Sequence, residues 1–315
     1  MFWAAEVTGR YDGWIKRYRQ PVLIYNPYAG KIRRDRERIL QATTAALTYA
    51  GCAAPRIVPT DAAGHATALA REAAASGADL ALVLGGDGTV NEAANGLANS
   101  DVPLGVLPAG TANVLAHELG LSSRLGRALQ RLPHYQAKRI ALGRLINGTQ
   151  ERYFVCMAGA GVDAKIVTLV DPVFKDRAGQ LAYWSAGMSQ LWGRLEPFDV
   201  RVNGCVHRCG FALASRVRNY GGEMEIARGA SLDREDFEIV LFEGTHPLRY
   251  VGYLLGACFR QVQKMPGVRT LRARCAEIVS STHVQIDGEY AWRAPSRVEI
   301  APDALTMLMP PPSAG

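Results

Sequence analysis

The sequence predicts an α/β protein in two parts, a parallel sheet covered by helices followed by a largely antiparallel β half. Two observations carry this reading. From Val22 to Leu119 short apolar runs alternate with stretches of helical periodicity, whereas beyond about Arg139 one β-type segment follows another across turn signals. The length of 315 residues, about twice that of an ordinary domain, makes two domains the natural division.

The first strand is Val22-Leu23-Ile24-Tyr25, four apolar residues bounded by Pro21 and by Asn26-Pro27. A helix over about Arg34 to Ala50 follows, then a short strand near Arg56 to Val58 and a helix over His65 to Ala75. The pattern continues with a strand at Leu80 to Leu84, a helix over Val90 to Ala98, a strand at Leu104 to Leu107 and a helix over Ala112 to Leu119. Such alternation implies a parallel sheet with helices on its faces. In the second half, Arg152 to Cys156 and Phe198 to Val202 read as strands, and Asn203-Gly204 is a hairpin pair. Helical patches fall at about Gln180 to Leu191 and Leu248 to Gln263. Arg297 to Ile300 and Leu305 to Met309 read as two closing strands, ended by Pro310-Pro311-Pro312. There is no internal repeat.

Hydrophobic residues at 48% and charged residues at 21%, with no low-complexity tract, exclude a disordered chain. The formal charge of +7 gathers in basic clusters: Lys16-Arg17-Arg19, the run from Lys31 to Arg38, Arg124-Arg127-Arg131 and Arg269-Arg272-Arg274. Such a surface suits polyanions, and charge alone does not choose among nucleic acid, lipid headgroups and nucleotide phosphates. The six cysteines, without a CxxC pair, read as reduced thiols, and Cys205, His207 and Cys209 on one strand lack the separated pairs of a zinc site. Met1 to Gln20 does not have the make-up of an export signal, and the longest nearly apolar run, Tyr250 to Phe259, is too short to span a bilayer. A cytoplasmic chain is expected.

The chemistry concentrates in turns that follow strands. Gly85-Gly86-Asp87-Gly88-Thr89-Val90-Asn91 joins a buried strand to a helix, at the strand end where an open parallel sheet binds its ligands. Its glycines let backbone N–H groups approach a phosphate, helped by the helix N-terminus, and Thr89 and Asn91 add a hydroxyl and an amide. Asp87 among such donors would repel phosphate unless a cation stood between them, which argues for a magnesium nucleotide. Two further turns, Asn26-Pro27-Tyr28-Ala29-Gly30-Lys31 and Pro108-Ala109-Gly110-Thr111-Ala112-Asn113, hold equivalent positions after strands. Far along the chain, Asp287-Gly288-Glu289 sets two acids on a strand-turn. Either carboxylate can accept the proton of an acceptor hydroxyl if the segment faces the nucleotide; the same spacing also marks an exposed hairpin tip.

Taken together, these motifs resemble the soluble bacterial diacylglycerol-kinase-like lipid kinases, related to sphingosine kinases and more distantly to NAD kinases. The resemblance runs from about Pro21 to Pro310 and includes Ala158-Gly-Ala-Gly-Val-Asp-Ala164 and Asn219-Tyr-Gly-Gly222. It implies an N-terminal Rossmann-like parallel-sheet domain for ATP, residues 1–138 with 295–315, and a C-terminal antiparallel β-sandwich-like domain for lipid, residues 139–294. By this resemblance Asn26, Pro27, Tyr28, Ala29, Gly30, Thr60, Gly85, Gly86, Asp87, Gly88, Thr89, Val90, Asn91 and Thr111 hold ATP. Glu289 is the proton acceptor with Asp287 beside it, and Asp87 is near Mg2+. The implied partners are a lipid substrate in the membrane and an anionic membrane surface, at the inner face of the membrane, with room for a homodimer and no nucleic acid. One departure stands out: the family's accessory magnesium turn commonly carries Asp-Gly, where this chain has Arg234-Glu235 within Leu232 to Asp236. Arg234 is expected to stand for that cation by its own charge.

Two other functions share the glycine turn: an NAD kinase-like phosphotransferase acting on a soluble nucleoside, and a catalytically silent regulator that binds nucleotide or lipid. The segment with Tyr250, Val251, Tyr253, Leu254 and Phe259 beside Arg249 and Arg260 reads either as an interfacial helix or as a helix packed on the core.

Overall fold

Pro21–Tyr25 forms β1, every residue of it buried, as a strand covered on both faces requires. The computed structural model describes residues 18–121, 124–162, 164–165, 195–221 and 224–311, without the side chains of Arg34 and Pro247. Beside β1 lie β2 (Arg56–Pro59), β3 (Leu80–Gly85) and β4 (Leu104–Pro108), all parallel, in the order β2-β1-β3-β4. The order reverses at β1, so the loops leaving β1 and β3 part at the crevice where open sheets hold ligands. Helices α1 (Arg36–Tyr49), α2 (His65–Ala75), α3 (Asp87–Leu97), α4 (Val114–Glu118) and α5 (Leu125–Arg131) fill the connections. α2 packs on α3 and α1 on α5, so that β3 and β4 are as fully buried as β1.

The sheet then turns antiparallel. β18 (Ser296–Met309) meets β4 in parallel at Met307 and pairs along its length with β5 (Gln136–Asn147), which in turn pairs with β6 (Gln150–Phe154). Sequence reading divides β18 in two at Ala301-Pro302-Asp303. The structure shows one strand with a register shift between Ala301 and Leu305, because the ladder resumes after Asp303 takes a left-handed φ of 47°. β15 (Cys275–Ile278), β8 (Phe198–Val202) and β9 (Cys205–Cys209) complete this sheet, with Asn203-Gly204 at positive φ between β8 and β9.

A second, antiparallel sheet runs β14 (Val268–Ala273), β13 (Phe237–Phe242), β10 (Phe211–Ser215), β7 (Met157–Gly161), β16 (His283–Ile286) and β17 (Glu289–Arg293). Its inner face shares a core with the antiparallel part of the first sheet, where Phe154 stacks on Phe237 at 5.8 Å and Phe198, Ile239 and Val298 fill the gap. The architecture is therefore the predicted α/β one, with a parallel sheet followed by an antiparallel sandwich.

A two-residue hairpin, β11 (Asn219–Tyr220) and β12 (Met224–Glu225), lies beside α6 (Pro247–Cys258). Pro247 starts α6, and the imidazole of His246 accepts the Leu248 N–H at 3.3 Å. Its end is a Schellman turn, with Gln261 N–H on Gly256 O, Arg260 N–H on Ala257 O, and Arg260 left-handed at φ 56°. Of the residues read as interfacial, Tyr250 and Tyr253 are buried, so that face of α6 packs on the core. The helix expected over Gln180 to Leu191 lies outside the described residues, as do Asp163 and Gly222 of the quoted motifs. Among the described residues no helix is long and apolar enough to cross a membrane.

Candidate active site

Each turn at the carboxyl edge of the parallel strands is built by its own sequence. After β1, the Asn26 side-chain oxygen accepts the Tyr28 N–H at 2.8 Å, an Asx turn that leaves the Asn26 amide 3.5 Å from the Thr89 hydroxyl. After β3 and β4, two turns lie back to back. The N–H groups of Ala109 and Gly110 both reach Gly85 O, at 2.8 and 3.2 Å, and a β-carbon on Gly110 would sit 2.5 Å from Gly86 Cα. Glycine alone permits that approach. Asp87 ties the same turns together, its Oδ1 accepting the Leu115 N–H at 3.2 Å. After β2, Thr60 is buried, and the following loop is pinned by Glu92, which accepts the N–H groups of Gly64 and Ala66 at 2.7 and 3.1 Å.

The distant acidic pair arrives from the second sheet. Asp287 and Gly288, with φ of 47° and 81°, form the two-residue turn between β16 and β17 that an Asp-Gly pair favours. Three backbone N–H groups hold the Asp287 carboxylate: Val155 at 2.8 Å on Oδ2, with Cys156 at 3.0 Å and Met157 at 2.8 Å on Oδ1. Asn91, with its amide nitrogen turned to the acceptors around it, donates to Oδ2 at 3.2 Å. Burial pushes the Asp287 carboxyl up to about 7; the bonds from Met157, Val155 and Cys156 pull it back, and the charge of Asp87 adds to the rise.

Glu289 sits one residue further on, and its two oxygens face different neighbours. Oε2 accepts from Arg152 Nη2 on β6 at 3.1 Å, while Oε1 lies 2.6 Å from where a β-carbon on Gly88 would stand. An acid at the far end of the sequence thus rests against the glycine turn at the start of α3.

These parts enclose a pocket of about 530 Å3. Of the residues expected at the site, Asn26, Tyr28, Ala29, Gly30, Thr60, Gly86, Asp87, Gly88, Thr89, Thr111, Asp287 and Glu289 line it. Pro27, Gly85, Val90 and Asn91 do not: Gly85 ends β3, Val90 is in the core, and Asn91 is buried on Asp287. Sequence reasoning missed Asp61-Ala62-Ala63, Val114, Cys156, Met157 and Met224, which also line the pocket. The first of these were detectable, because they follow β2 at the same sheet edge as the other turns.

The turn at the place of the family's accessory magnesium turn holds a buried guanidinium. Arg216, fully buried, donates Nη1 to Arg234 O and Nη2 to Leu232 O, both at 3.0 Å. Burial brings its pKa down to about 10, opposed by the negative charge of Asp236 and Glu235. Its backbone N–H donates to Cys156 O at 2.8 Å, which joins the turn to the segment that clamps Asp287. Arg234, expected to replace the cation, is at the surface in a two-pronged pair with Asp236. A cation at this turn would meet the like charge of a buried guanidinium that already donates to two of its carbonyls.

Comparison with known proteins agrees with this architecture. Residues 20–145 match the family model of the diacylglycerol kinase catalytic domain, and residues 156–309 that of the YegS C-terminal NAD kinase beta sandwich-like domain. The diacylglycerol kinase of Bacillus subtilis (strain 168) is 29% identical over 284 residues, covering 87% of this chain and 90% of that protein. The diacylglycerol kinase of Mycobacterium tuberculosis (strain ATCC 25618 / H37Rv) is 29% identical over 283 residues, covering 84% and 88%. A crystal structure of a diacylglycerol kinase from Bacillus anthracis str. Sterne shares the fold, with a TM-score of 0.76, 24% identity, and 95% and 100% of the two chains covered. By these matches, which together run from residue 20 to residue 309, the chain belongs to the diacylglycerol kinase-like family.

Proposed function

We propose that the protein is an ATP-dependent lipid kinase that moves a γ-phosphoryl group to a lipid hydroxyl. The observation that carries this reading is the meeting of Glu289 with the Gly86-Asp87-Gly88 turn. A phosphate-binding turn and a carboxylate at one spot are what phosphoryl transfer to an alcohol requires.

The donor set fits the cofactor. The glycine turns approach one another closely, and nothing lies within 4 Å of a β-carbon placed on Gly30. Among the described residues no three His, Cys, Asp or Glu side chains converge as a free-standing metal site. That suits magnesium carried by a nucleotide, which takes one or two protein carboxylates and completes its shell with phosphate oxygens and water. Asn26, Tyr28 to Gly30, Thr60, Gly86 to Thr89 and Thr111 would hold ATP, with Asp87 toward the cation; the bound pair would supply the phosphoryl group and neutralise its charge. Pro27, Gly85, Val90 and Asn91 support the turns from behind.

The two acids divide the work. All four donors around Asp287 point at its carboxylate, so it fixes the hairpin tip against residues 155–157. Glu289 keeps Oε1 toward the turn while Arg152 holds Oε2. In the reaction the acceptor oxygen forms a bond to phosphorus, the bridging P–O bond breaks and ADP leaves, and Glu289 takes the hydroxyl proton. Val114, Met157, Tyr220 and Met224 give the pocket an apolar wall, which favours a lipid alcohol over a soluble nucleoside. The test is Glu289→Gln, for which kcat on a mixed lipid extract is expected to fall by about 10²–10⁴ with ATP binding little changed. Wild-type turnover in that variant would remove Glu289 from the chemistry.

A further inference from the structure

Helix α6 has two apolar faces, and among the described residues only one of them is covered. Tyr250 and Tyr253 face inward and begin a chain of ring contacts through Phe242 and Phe211 to Tyr220 in the pocket wall. On the opposite side Leu248, Val251, Leu255 and Phe259 are 73%, 41%, 55% and 74% exposed. At the helical step of 100° per residue they fall within an arc of about 80°. Four of the ten exposed large apolar residues among those described stand on this one stripe, so it is a built face rather than scatter.

The stretch of sequence that carries the stripe is basic. Between Glu243 and Glu277 the sequence has no acid, and its basic residues are Arg249, Arg260, Lys264, Arg269, Arg272 and Arg274. The last three pair with Glu243, Asp236 and Glu235. Arg260 and Lys264, nearest the stripe, are exposed and form no ion pair among the described residues, whereas Arg249 turns inward to hydrogen-bond with the Tyr253 side chain. Arg260 moreover occupies the left-handed end of the helix, where glycine is the least strained choice.

We propose that the stripe, with Arg260 and Lys264 beside it, docks on an anionic bilayer, with α6 lying in the headgroup plane. α6 packs against β12, whose Met224 lines the pocket, so docking brings the bilayer to the side from which an acceptor would enter. A second copy of the chain is the poorer occupant, because a two-fold contact through this face would set like charges against each other. The inference rests on the lipid-kinase reading for its purpose, but its test can fail separately.

The experiment is co-sedimentation of the full chain with vesicles of phosphatidylcholine, with and without phosphatidylglycerol. Binding is expected on the anionic vesicles, reduced roughly tenfold or more by the double substitution Leu248→Glu with Leu255→Glu. Arg260→Gly is expected to weaken it by about fivefold, on anionic vesicles only. Because that change relaxes a left-handed residue, its melting temperature is expected to be no lower than wild type, so lost binding cannot be charged to unfolding. Phosphorylation of a short-chain diacylglycerol dissolved as monomer is expected to proceed at the wild-type rate in both variants. Unchanged vesicle binding in the variants, equal binding to neutral vesicles, or a dimer in sedimentation that Leu255→Glu breaks would each overturn the docking. Stripe-dependent binding without transfer to monomeric lipid would support the docking and overturn the kinase reading.

Discussion

Gly88→Ala separates catalysis from stability at one position. The added β-carbon would stand 2.6 Å from Glu289 Oε1, where ordinary contact begins near 3.4 Å, so the carboxylate must retreat by about 0.8 Å. Its partner in the clash is the free end of a flexible side chain, and retreat costs little in folding. Gly88 is also the second residue of α3, where alanine gains up to about 1 kcal/mol of helix propensity. The melting temperature is therefore expected to stay level or rise. Catalysis follows a different rule, because a reacting group misplaced by about 1 Å loses on the order of 10² in rate, or about 2.7 kcal/mol of barrier. Steady-state assays are expected to show kcat down by about 10². Gly110→Ala is the contrast. Its β-carbon would meet Gly86 Cα at 2.5 Å, backbone against backbone, so the turns must part and stability falls by about 1–3 kcal/mol. A Gly88→Ala protein with wild-type kcat would refute the contact between Glu289 and the glycine turn as the seat of the chemistry.

Arg152→Met keeps the aliphatic stem but releases Glu289 Oε2, and is expected to lower kcat by about tenfold, with no further loss when made in Glu289→Gln. Full additivity of the two would dissociate Arg152 from Glu289. Asp287 gives a pH signature. Its pKa is raised in the fold, so the folded state holds that proton more tightly than the unfolded chain; the stabilisation is complete below pH 3.8 and lost by about pH 7. The melting temperature of the wild type relative to Asp287→Asn is thus expected to fall across that window, and a flat or rising difference would contradict the assignment. Arg216→Met strips two carbonyls, the Leu232 one at a buried site, of their donors and is expected to cost about 2–4 kcal/mol in urea denaturation. In the wild type, chelation of divalent metal without nucleotide is expected to leave that transition unmoved, and a shift would mean that the turn binds a cation after all.

Much of the fold was legible because the first half obeys simple periodicity. The strand at Leu80 to Leu84 is an unbroken apolar run beside a glycine turn, and the structure ends it at Gly85. His65 to Ala75 is a helix over the very residues its pattern marked. The break read into the last strand failed because Pro302 and Asp303 are turn residues by chemistry, and only the partner strand β5 shows that the ladder survives them. At the site, the sequence displayed which turns lie at the sheet edge, since each follows a strand. It did not display that Asp287 would be clamped by residues 155–157, because those donors are backbone N–H groups that carry no residue signature. Arg216 was hidden for the opposite reason. An arginine among Ser215 and Val217 reads as a solvated charge, and nothing local says that two carbonyls of a later turn fold over it.

β18 is the last of the described strands in the chain, yet it lies between β4 and β15 in the middle of the sheet. During synthesis the outer edge of β4 and most of the length of β5 therefore wait, with unpaired backbone groups, until nearly everything else has emerged. A nascent chain in that condition offers an adhesive strand edge to its neighbours on a polysome. The same late closure means that a ribosome stalled before Ser296 releases no half-working enzyme, only a sheet with a gap at its centre.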